Sequence, residues 1–170
     1  MLTTSEPPDL GPGPRPGVES EAVLKKRLSQ ALKSSELPSQ NQELIRALVL
    51  LWHDHFEPAH KIAQDIENPD GSFVHAILHR REPDYGNSKY WFRRVGNHPV
   101  FPEIANRVGE LLDSKLMDAL RGKLLPRGGW DASTFVDLCE QANRNGEHKP
   151  LLREIQSIES LSLLEFLSRG

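Results

Sequence analysis

The 170-residue chain holds a single cysteine, so no internal disulfide can form. The fold must be held by packing, and a reducing, cytoplasmic setting is expected. Cys139 lies in an apolar helical pattern and reads as a small buried hydrophobe rather than a nucleophile. Charge of one sign is also missing: 21 Lys and Arg stand against 24 Asp and Glu, a formal net charge of −3. That balance excludes a global attraction to nucleic acid or to an anionic membrane, and leaves anion binding to a local patch. Long hydrophobic runs are absent. The longest, Ala47 to Trp52, falls far short of the roughly 18 residues that cross a bilayer, so no membrane partner is expected. The opening MLTTSEPPDLGPGPRPG has neither the basic nor the apolar region of a signal peptide. Strand-like alternation does not persist anywhere, and there is no internal repeat.

What is present is helical periodicity. Residues 1–17 carry five prolines and three glycines, which predicts an extended arm lying along the domain surface or along a neighbouring subunit of a homo-oligomer. Residues 18–170 read as one all-α domain, a compact bundle of six to eight helices. Val23, Leu24, Leu28 and Leu32 mark a first helix over about 19–34. A second, over about 42–57, is apolar nearly all round and belongs at the centre. Pro58 breaks the pattern, and Ala59, Ile62, Ala63 and Ile66 begin a new stripe. Asn68-Pro69-Asp70-Gly71 is a turn, with Asp70 or Ser72 capping a helix that runs to about Arg81. Asn87 or Ser88 caps a short helix from Lys89 to Val95. Further helices are expected at about 102–114, 133–144 and 150–168. A loop is expected from Gly122 to Gly129, with Trp130 as an anchor.

Five of the seven histidines, His53, His55, His60, His75 and His79, fall between residues 53 and 79. His75 and His79 are one helical turn apart and point away from the stripe of Phe73, Val74, Ile77 and Leu78. Glu82 continues their row. Two imidazoles and a carboxylate in register form half of a metal site, and His53 and His60 on the preceding segments can supply the rest. The expected metal set is His53, His60, His75 and His79, for a divalent transition metal such as zinc, iron or manganese. His53, His75, His79 and Glu82 are the candidate proton-transfer or catalytic groups. Ala76 follows His75 where a zincin places glutamate, which disfavours that chemistry. The competing reading makes these histidines hydrogen-bonded members of a polar core. His98 and His148 read as surface or capping residues.

Basic residues flank the 83–88 loop. His79-Arg80-Arg81 precedes it and Lys89-Tyr90-Trp91-Phe92-Arg93-Arg94 follows it. Arginine's planar fork binds two oxygens at once. Arg80, Arg81, Lys89, Arg93 and Arg94 are therefore candidate ligands for a small phosphate- or carboxylate-bearing molecule. The alternative is internal pairing with Glu82, Asp84, Asp65 and Asp70. Interleaved aromatics raise nucleic acid as an option, but in a chain with only 6% aromatics they are expected in the core, and nucleic acid is disfavoured. Gly128-Gly129-Trp130 does not match a phosphate-cradling loop.

Residues 48–101 carry His53-Asp54-His55, His60, Asp70-Gly71, His75, His79-Arg80-Arg81-Glu82, Asp84 and Asn87-Ser88-Lys89-Tyr90-Trp91-Phe92-Arg93-Arg94. This pattern resembles a family of uncharacterised bacterial and fungal proteins. The resemblance implies a shared working segment and no particular activity. Val74 departs from it where an aromatic is expected directly before the histidine.

Three functions are compatible with these residues. One is a hydrolase or lyase using a metal or a His–carboxylate pair on a small anionic substrate. The second is a non-catalytic anion-binding module. The third is a structural protein with a polar core.

Overall fold

A computed structural model describes residues 2 and 4–169. These residues form nine α-helices, one 3₁₀ turn and no strand, the all-α fold that the periodicity predicts. In chain order they are α1 (Glu21–Leu32), α2 (Ser39–Trp52), α3 (Phe56–Ala63), α4 (Pro69–Arg81), α5 (Tyr85–Val95), α6 (Phe101–Ser114), α7 (Asp118–Leu124), α8 (Ala132–Asn145) and α9 (Lys149–Leu167). The 3₁₀ turn, Pro126–Gly128, follows α7. No helix of the described residues is long and apolar enough to cross a membrane.

Several helix boundaries differ from the sequence expectation, each for a local reason. Pro58 does not break a helix. It sits in the first turn of α3, where a missing N–H costs nothing. The chain turns earlier, at Asp54, which adopts a left-handed backbone with φ 65°. His53 and His60 thus lie on different segments. Asn68, not Asp70, caps α4, its side chain accepting from the Gly71 N–H at 2.7 Å. A Cβ on Gly71 would meet the Ile66 carbonyl oxygen at 2.1 Å, so only glycine lets α4 start this close to the end of α3. Asp84 caps α5 through the Asn87 N–H, so that helix opens four residues earlier than Lys89. α7 was not expected, and its last turn occupies the start of the loop expected from Gly122 to Gly129.

Helices α2 and α4 form the interior. From Leu44 to Trp52 every α2 residue except Arg46 is buried. The burial of α4 is more complete: Gly71 through Arg81 are all shielded, although this helix carries two histidines and two arginines. It packs against α2, α3 and α5. Burying charge without a partner costs several kcal/mol, so each polar side chain on α4 needs a dedicated neighbour. Arg80 finds Glu159 on α9, a two-pronged pair with both side chains fully buried. The Arg80 guanidinium also lies 4.5 Å from the Phe135 ring centroid on α8. Burial opposes its charge, and Glu159 more than offsets that, leaving the Arg80 pKa above its usual value. Arg81 reaches the Leu51 carbonyl at the end of α2 and, at 2.6 Å, Asp54.

Residues 4–20 form no helix or strand but are tied down. Leu10 is fully buried, and Arg15 bonds Asp54 at 2.6 Å and the Trp52 carbonyl at 2.7 Å. Asp54 therefore serves two guanidiniums, Arg15 and Arg81. Burial pulls Arg81 down to about 10 in spite of Asp54.

The Arg80–Glu159 pair yields a direct prediction. Glu159→Gln leaves a buried guanidinium without its counter-charge and should destabilise the chain by about 3–5 kcal/mol. The double variant Arg80→Met with Glu159→Leu should recover most of that loss. Urea denaturation followed by circular dichroism measures both. Equal destabilisation by the single and double variants would contradict the assignment.

Candidate metal centre

Histidines from two helices meet beside α5. His60 comes from the middle of α3, and His75 and His79 from successive turns of α4. Their ligand atoms all lie within 4.8 Å of one another. The rings of His75 and His79 stack in parallel, 5.3 Å apart and 4° from coplanar, as the i, i+4 spacing requires. His60 meets both edge-on, with ring centroids at 4.8 Å and 5.6 Å. His75 and His79 are buried and His60 is half-buried, so the cluster is most open at α3.

Neighbouring side chains orient the two α4 rings. Trp91 of α5 stacks on His75 with centroids 4.2 Å apart and planes within 7°. Arg94, one turn later, holds its guanidinium 5.3 Å from the Trp91 ring centroid. His79 is bracketed: Nε2 faces the Asn87 amide at 3.2 Å, and Nδ1 faces Glu82 Oε2 at 3.2 Å. With Nδ1 facing the carboxylate, the support usual for a metal ligand, Nε2 is the nitrogen that would face an ion, and the Asn87 amide would have to release it. Burial, then the neighbouring His60 and His79, pull the His75 pKa down to about 4. Burial also lowers that of His79, against the opposing pull of Glu82. Both rings are thus neutral near pH 7, the form that donates a lone pair to a metal.

A tetrahedral zinc with bonds near 2.0–2.1 Å spaces its nitrogens roughly 3.4 Å apart. The three rings would have to close inward by an ångström or so to share one ion. Three histidines would occupy three positions and leave a fourth for water or substrate, the ligand count of catalytic rather than structural zinc sites.

The other predicted residues are placed elsewhere. His53 caps the end of α2, buried, with its Nδ1 accepting from the Glu19 N–H at 3.0 Å, and is not in the trio. His55 Nε2 lies 2.8 Å from the Glu19 carbonyl oxygen. Glu82 is beside His79 and outside the trio. The forks of Arg80 and Arg81 are engaged by Glu159 and Asp54, carboxylates 79 and 27 residues away, rather than by Glu82, Asp84, Asp65 or Asp70. Lys89 pairs with Asp137 of α8. Arg93 and Arg94 are exposed and have no carboxylate partner among the described residues. His98 is buried rather than superficial: its Nε2 meets Asp70 at 2.6 Å and its Nδ1 accepts the Val100 N–H at 3.2 Å. It lies outside the histidine trio and ties the Asp70 end of α4 to the start of α6. Cys139 is fully buried, and burial raises its thiol to about 12, which leaves it inert at neutral pH.

Two contributors escaped the sequence reading. Asn87 was legible only as a cap, and Trp91 only as a core aromatic. Their spacing from His79 and His75 carries no signal until α5 folds back along α4.

No family model, curated protein or solved structure matches this chain.

The His75 shift fixes a pH dependence for the metal-free chain. The unfolded histidine takes a proton near pH 6.5, whereas the folded one resists until about 4. Its neutral burial is therefore free of penalty above pH 6.5, and stability falls as the pH drops from 6.5 toward 4. The slope approaches about 1.4 kcal/mol per pH unit in that window. Urea midpoints at pH 7.5 and 5 should differ, and His75→Phe should flatten the difference. An unchanged pH slope in that variant would contradict the shift.

Proposed function

We propose that the protein is a metal-dependent enzyme whose His60, His75 and His79 hold a divalent transition ion, zinc, iron or manganese, with one coordination position open. The observation that carries this reading is the convergence of three imidazoles, two of them kept neutral by burial, at one point between α3 and α4. Such an ion activates a bound water or polarises a carbonyl or phosphoryl oxygen, so the reaction class is hydrolysis or elimination. Glu82 supports His79 and is placed to exchange protons at the rim. Arg94, stacked on the outer aromatic Trp91, favours a small anionic substrate carrying phosphate or carboxylate. A cytoplasmic setting fits the single buried thiol.

A second reading, anion binding without catalysis, has one observation of its own. Arg93 lines a cleft of about 350 Å³ with Trp130, Ser133 and Asp131, the last engaged in capping α8, and forms no ion pair among the described residues. Under this reading inorganic phosphate or citrate raises the melting temperature without metal, and Arg93→Ala abolishes the rise.

Titration of chelator-stripped protein with Zn²⁺ or Co²⁺ tests the metal reading. One equivalent should bind. At a hundredfold excess over the dissociation constant the gain is about 2.7 kcal/mol, or roughly 5–10 °C in Tm for a chain of this size. Cobalt should give the visible absorption of a low-coordinate ion. His79→Ala should lose most of the binding, while His55→Ala should retain it. No stoichiometric binding of either ion, or equal binding by the two variants, would refute the site.

A further inference from the structure

The N-terminal segment is held in the manner of a bound peptide. Residues 6–10, Glu-Pro-Pro-Asp-Leu, run without regular structure across α4, α8 and α9. The domain grips their main chain with side-chain donors. Arg153 donates to the Pro7 carbonyl at 2.5 Å and to Pro8 at 3.4 Å. Gln156 donates to Pro8 at 3.3 Å and to Asp9 at 3.0 Å. Arg81 Nε donates to Asp9 at 3.0 Å, and Asn143 to Leu10 at 3.3 Å. Two charge pairs set the register, Lys149 with Asp9 at 3.1 Å and Arg153 with Glu6 at 3.3 Å. Leu10 fills its socket with no exposed surface.

Each of these contacts is local to the five residues. None depends on the chain that connects them to the domain. Extended, proline-fixed segments lose little entropy on docking, which is why they serve as peptide ligands. The connection is Gly11-Pro12: a side chain added at Gly11 would meet nothing, whereas from Gly13 onward the chain is packed over Asp54. Beyond it Arg15 is pinned to Asp54. The arm thus has a sticky end, an open hinge and a fixed root.

We propose that the groove formed by α4, α8 and α9 is a peptide-recognition surface that also accepts the arm of a second copy, so that two chains exchange the segment ending at Leu10, with the Thr4 hydroxyl that accepts from Arg15 and Trp52 carried along, and dimerise. The partner's charge pattern is complementary because it is the same segment: acids at 6 and 9 meet bases at 153 and 149. Two hinge residues extend at most about 7 Å, so the two grooves must face each other closely. Exchange of an identical element adds no new interface chemistry and is a low-cost route to a symmetric dimer.

Charge reversal on partly exposed positions tests this without cutting the chain. One variant carries Lys149→Glu and Arg153→Glu, so its groove repels its own acidic arm. The other carries Glu6→Arg and Asp9→Arg, so its arm repels its own basic groove. Each alone should sediment as a folded monomer. Mixed, they should form a one-to-one dimer, because each arm now matches only the other chain's groove. All four substitutions in one chain should restore the behaviour of the unmodified protein, a monomer with a dimer fraction that grows with concentration. A mixture that stays monomeric overturns the proposal, and so does an unmodified chain that never dimerises. Loss of helical circular dichroism in either single-sided variant also overturns it, since the arm would then belong to the fold rather than to an exchangeable ligand.

Discussion

A guanidinium and a carboxylate sealed together at Arg80 and Glu159 constrain everything around them. Neither can be left alone in the interior, so α4 and α9 must stay in register. That fixes the rotation of α4 about its axis. At about 100° per residue, the side chains at 79, 80 and 81 leave the helix in three directions. Arg80 points to α9 and the face of Phe135, Arg81 to the end of α2 and the arm, and His79 to α3 and α5. A basic run that looks like one patch in the sequence is three separate anchors in the fold. The histidine trio is aimed by the same constraint, because His75 lies one turn below His79 on the helix that Arg80 locks.

The packing around that lock explains why polar residues dominate the most buried helix. Asp54 turns the chain between α2 and α3 and pairs with both Arg15 and Arg81, joining the arm, the α2 terminus and α4 at one carboxylate. Gly13 passes directly over it, where a Cβ would lie 2.4 Å from the Asp54 carboxylate. The consequence for function is rigidity. His75 and His79 sit on a helix shielded from Gly71 to Arg81, whereas His60 sits on an eight-residue helix that is partly exposed. Any inward closure on an ion would fall to α3.

How much of this was legible in the sequence follows from the range of the interactions. The all-α fold and the apolar run of α2 follow from periodicity, which is local. The facing of His75 and His79 away from their apolar stripe follows from helical spacing. Partners were less accessible. Arg80 and Arg81 were expected to pair, if at all, with nearby acids, but Glu159 lies 79 residues on, and nothing in a single sequence marks it. Pro58 was misleading for the opposite reason: its effect depends on helical position, and in a first turn it starts a helix. With the break moved back to Asp54, His53 separates from His60, and only three of the four expected ligands converge.

The central claim is that these three imidazoles share one metal ion. Anomalous diffraction at the zinc edge, on crystals of the metal-loaded full chain, tests it most directly. A single strong peak is expected between His60, His75 and His79, within about 2.0–2.2 Å of one nitrogen of each ring. A peak elsewhere on the molecule, or none between α3 and α4 in fully loaded crystals, would contradict it.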